Sequence, residues 1–139
     1  DLPEIGNMSS THSANPLGCS AGMAVIDEII ESNLIDESYR KGLILHKGLN
    51  EIKDNSNGLI SDVLGKGMIA SILFQDPQKR IPESKVPSEI SEKCMQSGLL
   101  VVHTGRESIK IGPPLNISDE ALLEGISIIK EIVGEYLWN

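Results

Sequence analysis

The spacing of apolar residues changes several times along the chain, and each change marks an element. Residues 1–14 are polar, dense in Ser, Thr and Asn, and read as loop. Asn15-Pro16 is a helix entry: Asn can cap, and a proline at the first helical position gives up only an N–H that lacks a partner. Ala21, Ala24, Val25, Ile29 and Ile30 carry that helix to about Ser32. Asn33 is expected to cap a second helix, with Asp36 and Glu37 in the first turn, where the helix dipole favours acids. Ile35, Tyr39, Leu43, His46, Leu49 and Ile52 recur every three or four residues and form its expected apolar face. Asp54-Asn55-Ser56-Asn57-Gly58 ends it.

Beyond Gly58 the period shortens. Leu59 to Leu64 and Met68 to Phe74 are strand-like runs joined by Gly65-Lys66-Gly67, a hairpin pattern. The second run is apolar on both faces, as in a strand covered by helices. Gln75 to Pro87 holds three prolines and five charges and reads as an exposed loop. Pro87 opens a short helix to Gln96, with Ile90 and Cys94 on one face and Gly98 as its stop. Leu99 to His103 and Ser108 to Gly112 are two further strands, turned by Thr104-Gly105-Arg106 and ended by Pro113-Pro114. Ser118-Asp119-Glu120 opens a last helix carrying Leu122, Ile126, Ile129, Val133 and Leu137. The order α-α-β-β-α-β-β-α, with short turns between strands, predicts an α+β fold. Its expected form is a small antiparallel sheet covered by helices, not a doubly wound sheet.

Composition sharpens this picture in a few places. A chain of 139 residues suits one domain with one modest core. Aromatics are only 3%, so the core must be aliphatic and a platform for stacking bases is missing. The formal charge of −8 argues against a nucleic-acid or anionic-membrane surface, since both need clustered Lys and Arg. No apolar run approaches the roughly 18–20 residues that span a bilayer. Cys19 and Cys94 have no Cys or His at ligand spacing, so no metal site is expected. Both read as small buried hydrophobes in a reducing compartment. The start Asp1-Leu2-Pro3-Glu4, with neither Met nor a charged-then-apolar leader, is read as the start of a piece of a longer protein.

Candidate chemistry is thin when taken residue by residue. Ser9-Ser10-Thr11 stands before a helix N-terminus, where hydroxyls and free N–H groups can hold a phosphate; such clusters more commonly cap or face water. His12 reads as a polar loop histidine, His46 as a core or boundary residue, and His103 as a strand end with no partner in sequence. Gly65-Lys66-Gly67 lacks the Walker pattern and lies between strands. Arg106 and Lys110 flank a strand near a Pro-Pro turn. They form either a grip for a carboxylate or two solvated strand-end charges.

The longer words say more. Ser10-Thr11-His12-Ser13-Ala14-Asn15-Pro16-Leu17, running on through Gly18-Cys19-Ser20-Ala21-Gly22-Met23-Ala24-Val25, resembles the S-T-x-x-x-N-P-L segment of class III pyridoxal-phosphate aminotransferases of the ornithine, 4-aminobutyrate and ω-amino-acid type. In register after it, Asn33-Leu34-Ile35-Asp36 resembles the family's E-N-L-x-E helix start. Ser61 to Met68 resembles its D-V-R-G-x-G hairpin, and Ser108 to Ser118 its I-R-x-x-P-P-L-x-I signature.

That resemblance implies the C-terminal small domain of a fold-type I pyridoxal-phosphate transferase, with residues 1–15 as a loop from the cofactor side and 16–139 as the domain. It implies a cytoplasmic homodimer that transfers an amino group between an amine or amino acid and a keto acid. Thr11, with Ser10 beside it, would donate to the cofactor phosphate in the neighbouring subunit, a charge-assisted bond. The family arginine that forks a substrate carboxylate corresponds to Lys110, and Lys cannot hold a carboxylate bidentately, so either Arg106 takes over or the substrate's anionic group differs. The family's Schiff-base lysine precedes the Thr11 motif, and the first lysine here is Lys41. No residue of this chain is therefore expected to be catalytic, and alone it is expected to be inactive. The alternative is a freestanding, non-catalytic α+β binding or oligomerisation module.

Overall fold

The computed structural model describes residues 14–138. Two compact units divide the chain between Ile35 and Asp36. The elements follow the expected order: α1 (Pro16–Glu31), α2 (Leu34–Asp54), β1 (Ile60–Lys66), β2 (Ile69–Phe74), α3 (Lys85–Gln96), β3 (Val102–His103), β4 (Ser108–Ile111) and α4 (Asp119–Trp138).

In the first unit Asn15 caps α1 as its sequence suggests, its Oδ1 accepting from the Leu17 N–H at 3.0 Å with Pro16 at the first helical position. α1 buries none of its residues, and Leu17, Met23, Val25, Ile26 and Ile30 are all exposed. Cys19 is exposed too, contrary to expectation, because α1 has no buried face on which a small thiol can pack. Asn33 also departs from its expected role. At φ 49° it is in the left-handed region and its N–H donates to the Ile30 carbonyl, so it closes α1 instead of capping α2.

The second unit is built on a four-stranded antiparallel sheet of order β1-β2-β4-β3, two sequential hairpins joined through β2 and β4. Lys66 pairs with Ile69, so Gly67-Met68 is the two-residue loop and Gly65 lies inside β1. Gly67 at φ 58° supplies the positive φ that such tight hairpin loops need. β3 is shorter than expected, since only Val102 and His103 find partners on β4. α3 starts at Lys85, two residues ahead of Pro87, which lies buried in the first turn, where a missing N–H costs nothing. The preceding loop is tied down. Gln75 Nε2 donates to the Gly58 carbonyl at 3.0 Å, and Asp76 Oδ1 accepts from the N–H groups of Gln78 and Lys79.

The core is aliphatic, as the composition required. Leu45 and Leu49 of α2, Ile72 of β2, Ile90 of α3, Ile109 of β4 and Val133 of α4 meet around the sheet, with Phe74 fully enclosed among them. Burial holds the Cys94 thiol pKa up at about 11, so it packs as a hydrophobe. The buried face of α2 differs from the expected one. Ile35, Tyr39 and Leu43 are exposed and His46 is half-buried, while Lys41, Leu45, Leu49 and Ile52 form the buried stripe. Two apolar stripes interleave on this helix. The buried one, which also takes in Leu34, carries a lysine where an apolar residue is expected.

Candidate functional site

Three consecutive residues of α2 hold three different parts of the second unit. Arg40 forks onto Asp119 at the start of α4, with Nη1 to Oδ2 at 2.8 Å and Nη2 to Oδ1 at 2.6 Å, and also binds Glu37. Lys41, its side chain 9% exposed, donates from Nζ to the Ile117 carbonyl at 2.6 Å and the Leu115 carbonyl at 3.4 Å, with Glu37 Oε2 at 3.7 Å. Gly42 meets the hairpin tip: a Cβ there would lie 2.6 Å from Gly67 Cα. Lys41 is also the first lysine of the chain. Its amine is enclosed and shared between two carbonyls, so it is not a free nucleophile for a carbonyl cofactor.

The carboxylates of this cluster are held ionised. Hydrogen bonding to Arg40 pulls the pKa of both Asp119 and Glu37 below their ordinary values, and Arg40 is in turn held firmly protonated. Asp62 is lowered by Lys53 and Asp76 by the Lys79 N–H. A carboxyl with a depressed folded pKa contributes stability that is complete above its unfolded pKa and is lost as pH falls through the folded one. The melting temperature of this chain is therefore expected to stay level from neutral pH to about 5 and then fall below about pH 4. Melting curves across that range check it, and Asp119→Asn should flatten part of the fall.

Lys110 occupies the open face of the sheet. Ile109 and Ile111 on either side of it are buried, so strand alternation turns Lys110 outward. In register across the sheet it stands beside Ser71 of β2 and Val102 of β3, with Leu64 of β1 beyond Ser71. Leu64 and Val102 are exposed. No hydrogen bond or ion pair is made by the Lys110 side chain among the described residues. An exposed ammonium between a serine and a valine is chemically able to take one anionic group.

The other expected residues separate from it. Arg106 lies in the β3–β4 turn, 80% exposed, its Nε 3.6 Å from Glu107 Oε2, a weak surface pair. Its carbonyl accepts from His103 Nε2 at 2.9 Å, which gives His103 the task of closing that turn. Ser10, Thr11 and His12 lie outside the described residues. Among the described residues no group of three His, Cys, Asp or Glu is placed to hold a metal ion, and no helix is long and apolar enough to cross a membrane. A cavity of about 220 Å³ lined by Pro113, Pro114, Leu45, Ile111, Leu122 and Ile126 among others has no polar side chain in its wall. Sequence reasoning missed the Arg40-Lys41-Gly42 cluster. Its one signal was a glycine inside a helix, a position that costs about 1 kcal/mol and calls for a packing reason.

The sequence model of the family described as aminotransferase class-III matches residues 1–133. A mitochondrial acetylornithine aminotransferase of Candida glabrata is 34% identical over 95% of this chain and 29% of its own length. The acetylornithine aminotransferase of a Synechocystis species is 32% identical over 96% of the chain and 30% of its own. Relatives named ornithine and 4-aminobutyrate aminotransferases match as well. Among solved structures, the acetylornithine aminotransferase of Elizabethkingia anophelis superposes with a TM-score of 0.82 at 29% identity, over 97% of this chain and 32% of that one. The chain thus spans about a third or less of the proteins it matches.

Proposed function

The chain belongs to the class-III aminotransferases, and from that premise we propose that it is the C-terminal part of a cytoplasmic, homodimeric enzyme moving an amino group between an amine or amino acid and a keto acid. In this reading residues 1–15 are a loop on the large-domain side and 16–139 the small domain. The cofactor is pyridoxal phosphate, which supplies the electron sink for breaking a bond at the amine-bearing carbon. The family's Schiff-base lysine precedes the Thr11 motif, so in this reading it is contributed from outside this chain; Lys41, the first lysine after that motif, is committed to backbone carbonyls. Thr11, assisted by Ser10, donates to the cofactor phosphate in the partner subunit.

Lys110 carries the substrate side of the proposal. Its side chain stands on the open sheet face with no partner among the described residues, whereas Arg106 is paired with Glu107 at a turn. Lys110 therefore neutralises the substrate carboxylate as a point charge, leaving it freer to pivot than a guanidinium fork does. The donors proposed are those of the named relatives: N-acetylornithine, ornithine and 4-aminobutyrate.

Steady-state assays of the full-length enzyme with these three donors test the reading. A charge-assisted hydrogen bond of about 1.5–3 kcal/mol makes Lys110→Met raise KM for a carboxylate donor by roughly 10- to 100-fold. Lys110→Arg should keep or lower it. An unchanged KM in Lys110→Met overturns the assignment of Lys110. Absence of turnover by the full-length enzyme would favour the non-catalytic binding module, and turnover by the 139-residue chain alone would refute its dependence on an outside lysine.

A further inference from the structure

We propose that Lys41 is a positioning residue for substrate binding, acting through Lys110. This rests on the role given to Lys110 above and extends it to a residue on another element. The segment from Pro113 to Ser118 joins the Lys110 strand to α4, and it has little backbone pairing of its own. Two of its residues are prolines without N–H groups; within it the Ile117 N–H donates to the Pro114 carbonyl at 3.1 Å, and at its end Ser118 accepts from the first turn of α4. The Leu115 and Ile117 carbonyls are taken up by a single enclosed ammonium. Removing a buried cation's partners, or the cation itself, leaves polar groups unpaired and is costly, so this contact holds the segment in one place.

The neighbours of Lys41 make that hold directional. Arg40 fixes the far end of the same segment at Asp119, and Gly42 abuts Gly67 at the tip of the β1–β2 hairpin. The end of the sheet between those fixed points carries the Ala70–Ile111 pair of the two inner strands, one step from Ser71–Lys110. β2 and β4, which meet at Lys110, are thus anchored at that end by one turn of α2. With Lys41 in place, the backbone leaving Lys110 has one exit. Without it, the exit segment and the last pairs of β4 are free to shift, and an ammonium that binds as a point charge loses its set distance to the substrate.

Lys41 and Lys110 variants of the full-length enzyme, assayed singly and together with a carboxylate donor that it turns over, test this. Lys41→Met should raise KM for the donor about tenfold with kcat within twofold. Lys41→Arg, which keeps donors and charge, should recover most of that rise. The Lys41→Met/Lys110→Met double variant should show the same KM as Lys110→Met alone, because non-additivity marks two residues acting through one contact. A purely structural Lys41 gives additive effects on KM, or a loss of kcat with KM unchanged, and either result overturns the proposal. Should Lys41→Met not fold, Lys41→Gln retains one donor for Ile117 and replaces it in the same cycle. A Lys110→Met enzyme with normal KM would instead show that the Lys110 assignment itself had failed.

Discussion

Gly65→Ala is expected to destabilise the second unit by roughly 3–5 kcal/mol. Gly65 lies inside β1 at φ 128°, a conformation nearly closed to any residue with a Cβ, with a strain of about 1–3 kcal/mol. Space is lacking as well. A Cβ there would collide with the Ile69 carbonyl and lie 2.9 Å from Ala70 Cα. Both are backbone atoms of the opposing strand, fixed by the Gly65–Ala70 and Lys66–Ile69 pairs, so no rotamer change relieves the contact. Overpacking of this kind adds about 1–3 kcal/mol. Gly134→Ala, in α4, is the control. Its Cβ would meet nothing within 4 Å, and alanine gains about 1 kcal/mol of helix propensity. Denaturant titration of the two variants separates the cases: Gly134→Ala should stay within about 1 kcal/mol of the parent. A shift that small in Gly65→Ala would contradict the argument.

That glycine shows where the chain announced its own structure and where it did not. The order of elements was legible because Gly, Pro and Asn mark the ends: Asn15-Pro16 opens α1, Gly98 at φ 85° closes α3, and Gly105 at φ 79° turns β3 into β4. The exact hairpin loop was not. Gly65-Lys66-Gly67 offers two glycines, and cross-strand pairing chose the second as the turn. The outward side chain of Lys110 was legible from the alternation of Ile109, Lys110 and Ile111. The buried face of α2 was misread because Ile35, Tyr39 and Leu43 repeat as regularly as Lys41, Leu45 and Leu49. Periodicity sees apolar residues and cannot see a lysine whose partners are carbonyls 74 and 76 residues away. Local pattern made Ser10 and Thr11 a phosphate candidate outweighed by a capping or solvent-facing role; the longer word of which they are part is what implies a cofactor phosphate.

A loss of the same size is expected at Phe74. Phe74→Ala should cost about 3–5 kcal/mol, the range for truncating an enclosed aromatic whose surroundings do not collapse. The residue is 1% exposed and is the sole phenylalanine of the chain. Its backbone resists relaxation. Phe74 pairs with Ile60 on β1, and its N–H donates to the Glu107 carbonyl at 2.7 Å, which ties the end of β2 to the β3–β4 turn. Phe74→Leu keeps most of the volume and should lose less than about 2 kcal/mol. The two variants also separate stability from binding. Phe74 lies on the covered face of the sheet and Lys110 on the open one, so Phe74→Leu in the full-length enzyme should leave KM for a carboxylate donor unchanged while lowering the melting temperature. A KM that rises with the loss of volume would mean that the core, and not the α2 anchor alone, sets where Lys110 stands.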